Sequence, residues 1–93
     1  MKNINYISTR GNTAPVSSAQ AIKQGLADDG GLFMPEFIPS LTKEDLDFLK
    51  SASYPERAAY VMAKFLTDYT YEELLADCKE SYSSARFPGG AAP

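Results

Sequence analysis

Four consecutive residues, Ser8, Thr9, Arg10 and Gly11, carry the clearest binding chemistry in this sequence. Two hydroxyls, a guanidinium and a flexible backbone are what a loop needs to hold a phosphate or a carboxylate. Arg10 would grip such an anion with two parallel hydrogen bonds. The plainer alternative is a strand end whose hydroxyls satisfy the turn, with an arginine that is solvated or salt-bridged to a neighbouring domain. Residue types alone leave both open. Gly30 and Gly31 suggest a phosphate cradle less well, because neither GK[ST] nor GxGxxG follows and the strand comes after the glycines; they read as a tight turn. Asp28 and Asp29 imitate a catalytic carboxylate pair, yet adjacent turn residues point apart and read as solvated acids.

The remaining reactive side chains offer less. Cys78 lies on an apolar helical stripe between Leu74, Leu75 and Tyr82, which predicts a buried, inert thiol. Being the only cysteine, it forms no internal disulfide and no cysteine zinc site. Histidine is absent, which removes the commonest general base, the commonest metal ligand and every Ser-His or Cys-His nucleophile. A Schiff-base lysine among Lys2, Lys23, Lys43, Lys50, Lys64 and Lys79 would need a pocket that depresses its pKa, and most of these lie on polar faces of predicted helices. No catalytic, cofactor-binding or metal-binding residue is therefore assigned.

These residues must be positioned by a small fold. A chain of 93 residues predicts one core of modest stability. Hydrophobic content of 44 % with 12 % aromatic residues is that of a folded domain. A net charge of −3 with dispersed basic residues argues against nucleic acid. No apolar run is long enough for a signal peptide or a membrane span, so a cytoplasmic protein is expected.

Asn5, Tyr6, Ile7, Ser8 and Thr9 predict a short strand, and Gly11 and Pro15 a loop after it. Ser17 opens a helix in which Gln20 answers it as a capping box, with Val16, Ala19, Ile22 and Leu26 at helical spacing and a stop near Gly25. Leu32, Phe33 and Met34 predict a second strand ended by Pro35. Three further helix starts follow from Thr42 with Asp45, Ser53 with Glu56, and Thr70 with Glu73. Their apolar faces are Leu46 and Leu49, then Ala58, Val61, Met62, Phe65 and Leu66, then Tyr71, Leu74, Leu75, Cys78 and Tyr82. The last stripe is expected to pack on Val61, Met62 and Phe65. The fold class is thus α+β, a short strand-helix-strand unit with a small sheet followed by about three packed helices. From residue 83 onwards SSARFPGGAAP loses periodicity and reads as a linker.

The stretch YISTRGNTAPVSSAQAIKQGLADDGGLFMPEFIPSL resembles the N-terminal domain of the threonine synthase family, in which YxSTRG, APVSxxQAIxxGLAxDGGL and PExIPxL recur in this order. The likeness is close over residues 4–41 and helical in pattern beyond. It implies that residues 1–82 are a non-catalytic N-terminal domain and 83–93 a linker, cut at Pro93, towards a missing catalytic domain of the same chain. The full-length protein would be a fold-type II pyridoxal-phosphate enzyme that converts O-phosphohomoserine and water to threonine and phosphate. The family's cofactor lysine follows a histidine-glycine-proline-threonine run, which a chain without histidine cannot contain. Ser8, Thr9, Arg10 and Gly11 then become candidates for substrate contact or interdomain docking. The rivals are a free-standing interaction module and an anion-binding module, neither with enzymatic activity.

Overall fold

The structure, a computed structural model, describes residues 3–90, so Lys2 and the expected cut at Pro93 lie outside the described residues. Its elements are β1 (Tyr6–Ser8), α1 (Ser18–Gln24), β2 (Phe33–Pro35), α2 (Lys43–Ser51), α3 (Tyr54–Phe65) and α4 (Tyr71–Ser81). This is the expected α+β order, one helix between two strands and three helices after them. The chain divides into two compact units where its length suggested one core. The first runs up to Pro39 and includes Phe65–Tyr69; the second comprises Ser40–Lys64 and the chain from Thr70 onwards.

In the first unit β1 and β2 pair antiparallel, with Tyr6 opposite Pro35, Ile7 opposite Met34 and Ser8 opposite Phe33. Tyr6 also exchanges both backbone hydrogen bonds with Val16, at 2.7 and 2.9 Å. Alternation along β1 buries Tyr6 and Ser8. Ile4, Tyr6 and Ala21 form the core, with Val16, Phe33, Phe37 and Leu66 packed against it. The Tyr6 hydroxyl donates to the Phe65 carbonyl at 2.8 Å, and Ile4 N–H donates to Thr67 Oγ1 at 2.9 Å. The returning 65–69 segment therefore closes this core.

Ser17 caps α1 by accepting from Gln20 N–H at 3.2 Å, but the Gln20 side chain bonds Gln24 and the box stays half formed. The N-terminus of α1 is satisfied from elsewhere: Asp68 accepts from Ala19 N–H at 2.9 Å and from the Ser18 hydroxyl. This corrects the face predicted for α1. Ser18 and Ala21 are its buried residues, whereas Ile22 is 62 % exposed. The helix stops as expected at Gly25, whose φ of 81° suits a residue without a Cβ.

In the second unit the three predicted capping pairs all form complete boxes. The first does more than cap. Asp45 is buried and accepts from Thr42 N–H at 2.8 Å, the Tyr60 hydroxyl at 2.5 Å and Lys64 Nζ at 3.1 Å. Phe48 stacks on Tyr60 at 4.4 Å between ring centres, and Arg57 Nε closes the end of α2 by donating to the Leu49 carbonyl at 2.7 Å. Ala59, Leu74 and Cys78 form the buried apolar positions of this unit. The stripe on α4 meets Met62 through Cys78, sulfur to sulfur at 3.8 Å, while Val61 remains exposed and Phe65 belongs to the first unit. After α4 the chain makes turns, with residues 84–90 exposed and the Phe87 ring 6.1 Å from that of Tyr82.

The Thr42 amide foremost, then the Tyr60 hydroxyl and Lys64, holds the Asp45 carboxyl well below its ordinary value of 3.8. A depressed folded pKa means that the unfolded chain takes up the proton first as pH falls. The stabilisation is therefore complete above the ordinary aspartate value and fades below it. Asp45→Asn is expected to be less stable than wild type at neutral pH, with the difference narrowing between about pH 5 and about pH 2. Urea denaturation across that range checks it; a difference that stays constant would mean that the carboxylate charge contributes nothing.

Candidate functional site

The segment Ser8, Thr9, Arg10 and Gly11 leaves β1 beside the turn that enters β2, and one carboxylate joins the two. Asp29 Oδ1 accepts from the Ser8 hydroxyl at 2.6 Å and from Gly31 N–H at 2.9 Å, while Oδ2 accepts from Asn12 N–H at 3.0 Å. Ser8 Oγ in turn accepts from Arg10 N–H at 3.1 Å. The Ser8 hydroxyl first, then the Gly31 amide, with the Asn12 amide and the charge of Arg10 adding to them, lower the Asp29 pKa against the opposing effect of burial. Asp29 is thus no free turn acid, as its sequence context suggested, but the organiser of the loop. Asp28 is exposed and accepts from Gln24 Nε2 at 3.0 Å, so the two acids do separate.

Both hydroxyls are committed to the backbone frame. Thr9 N–H donates to the Leu32 carbonyl at 2.8 Å, and Leu32 N–H donates to Thr9 Oγ1 at 3.0 Å. Gly11, at φ 74°, turns the chain and donates to the Ser8 carbonyl at 3.0 Å. Gly30 and Gly31 form the predicted tight turn, with Gly30 at φ 83°. Gly31 is required for a different reason: a Cβ there would overlap Ser8 Oγ and lie 3.1 Å from Arg10 N.

Arg10 differs from its neighbours. Its side chain is exposed, and among the described residues it makes one hydrogen bond, from Nη1 to the Asp29 carbonyl at 3.3 Å. A guanidinium has five N–H donors, so most of its capacity stays available to an anion. Chemically the loop is a rigid frame that presents one cation. Ser8 is not placed as a nucleophile, because it is buried and its hydroxyl is bonded to Asp29, whose lowered pKa makes it a weak base, and among the described residues no base is bonded to the Thr9 hydroxyl.

The other candidates fall outside this site. Lys23, Lys43, Lys50 and Lys79 are exposed, and Lys64 is held by Asp45. The Cys78 thiol is buried, and burial with the charge of Asp77 pushes its pKa up, away from thiolate chemistry. A concave feature that sequence reasoning missed lies between α1 and β2 in the first unit. It is a groove of about 380 Å³ lined by Tyr6, Ser18, Ala21, Ile22, Gly25, Leu32, Phe33 and Leu66.

This architecture, among the described residues a two-stranded sheet and four helices with a hydroxyl-arginine-glycine loop locked by an aspartate, defines a class of small α+β fold. A family model described as the threonine synthase N terminus matches residues 5–82, and the chain belongs to that family. A threonine synthase of Schizosaccharomyces pombe is 38 % identical over 87 residues, covering 91 % of this chain and 17 % of the relative. A human protein named threonine synthase-like 2 is 41 % identical over 61 residues, 66 % of this chain and 13 % of that protein. Among solved structures, the pyridoxal-phosphate-bound threonine synthase of Brucella melitensis superposes with a TM-score of 0.78 at 32 % identity, over 86 % of this chain and 18 % of that one. The chain spans about a sixth of the length of the curated relatives it matches.

If the close approach at Gly31 sets the loop, Gly31→Ala costs about 1–3 kcal/mol through overpacking. Adding Ser8→Ala removes the obstructing oxygen, so the double variant is more stable than the sum of the two single losses allows. A double-mutant cycle in urea reads the coupling, and strictly additive losses would contradict the assignment.

Proposed function

We propose that this chain, with residues 1–82 as the domain and 83–93 leading towards a catalytic body, is the non-catalytic N-terminal domain of a cytoplasmic threonine synthase. The full-length enzyme would convert O-phosphohomoserine and water to threonine and phosphate with pyridoxal phosphate. The observation that carries this reading is the family match over residues 5–82, supported by a solved enzyme in which the same fold occupies 18 % of the chain. Its partners would be the catalytic domain of the same chain and, in the full-length enzyme, O-phosphohomoserine. Neither nucleic acid nor a membrane enters this reading; among the described residues no helix is long and apolar enough to cross one.

The residues of this chain do not fit the cofactor. Pyridoxal phosphate serves as an electron sink and needs an enclosed lysine amine, a phosphate cradle and a partner for its ring nitrogen. Among the described residues Lys23, Lys43, Lys50 and Lys79 are exposed, Lys64 is tied to Asp45, and the Gly30–Gly31 backbone is closed around Ser8 and Asp29. What the domain would supply is a stiff loop at residues 8–11 and an apolar face, both suited to docking and to excluding water from a neighbouring site. The exposed guanidinium of Arg10 is the one observation that favours the anion-binding alternative.

The reading is tested by placing this chain in the S. pombe threonine synthase in place of its matching segment. The hybrid is expected to release phosphate from O-phosphohomoserine, and the 93-residue chain alone, mixed with pyridoxal phosphate, is expected to release none. Turnover by the isolated chain, or a folded but dead hybrid, would overturn the reading.

Arg10→Ala is expected to change the stability of the isolated chain by only about 0.5 kcal/mol, as exposed substitutions do. In the hybrid it should raise KM if Arg10 contacts substrate, or lower the melting temperature if it pairs across the domain boundary. A hybrid unchanged in both would leave the loop a simple turn.

A further inference from the structure

The rim of the groove between α1 and β2 is unusually apolar. Ile22, Leu26 and Leu32 are 62, 61 and 62 % exposed, although all three are aliphatic. A backbone bridge between Leu26 and Leu32 fixes two of them across the 27–31 turn. Ile22 and Leu32 border the groove, and its floor includes Tyr6, Ala21, Phe33 and Leu66, which belong to or pack on the core of the first unit. The groove therefore opens directly onto that core. Aliphatic residues clustered around an apolar depression mark an interaction surface more often than a free one.

Size decides between occupants. Three aliphatic side chains can hide on the order of 300 Å² between them. A stable dimer of two copies needs about 800 Å² from each partner. A body tethered to the same polypeptide needs much less, because covalent linkage supplies an effective concentration in the millimolar range. In the B. melitensis enzyme this fold accounts for 18 % of the chain, so most of that chain lies outside it. We propose that Ile22, Leu26 and Leu32, with the groove behind them, are the seat of the catalytic body of a threonine synthase, which inserts an apolar side chain between α1 and β2. This rests on the function proposed above and names the surface through which it acts.

Hydroxyl-radical footprinting of the S. pombe hybrid and of the isolated 93-residue chain tests the seat. In the active hybrid, oxidation of Ile22, Leu26 and Leu32 is expected to fall about tenfold relative to the isolated chain, and Leu32→Ser is expected to restore most of it at Ile22 and Leu26. Equal oxidation in an active hybrid overturns the seat and leaves the family function standing. A folded hybrid without activity overturns the function on which the seat rests. Should Leu32→Ser unfold the isolated chain, the comparison of the two unsubstituted proteins still decides.

Discussion

The loop frame of the first unit depends on one carboxylate. Asp29 collects the Ser8 hydroxyl and the amides of Asn12 and Gly31, and thereby ties the exit of β1 to the entry of β2. With only three residues in each strand, the sheet itself cannot hold this geometry. The same lock places Leu32 opposite Thr9 and opposite Leu26, which sets the rim of the groove. It also leaves Arg10 as the loop's exposed cation. Structure and candidate chemistry thus have a common origin in a residue that looks like an ordinary turn acid.

What was legible in the sequence was local. The four helix starts rest on a side chain and an amide three residues apart, and all four caps appear where the spacing put them. The two strands and the glycine turn were legible for the same reason. The three aspartates that organise the interior were not. Asp29 answers a residue 21 positions away, Asp68 one 50 away, and Asp45 answers Tyr60 and Lys64 as well as its own cap. Nothing in composition or periodicity marks an acid whose partner is that distant. Apolar periodicity failed on α1 for a related reason: the bond from Ser18 to Asp68 turns a polar position inwards and leaves Ile22 outside.

Family and reaction separate here on physical grounds. The described residues include a loop whose two hydroxyls are hydrogen-bonded within its own frame, a buried thiol whose pKa is raised, and four exposed lysines. Relatives with two different names, threonine synthase and threonine synthase-like 2, share the segment.

The dependence on Asp29 is tested most directly by its own titration, followed through its carboxyl carbon by NMR together with the amide shifts of Asn12 and Gly31. The account predicts a midpoint below the ordinary value of 3.8, with both amides moving in step with the carboxyl. A midpoint at or above that value, or amides indifferent to it, would mean that the carboxylate does not hold the loop.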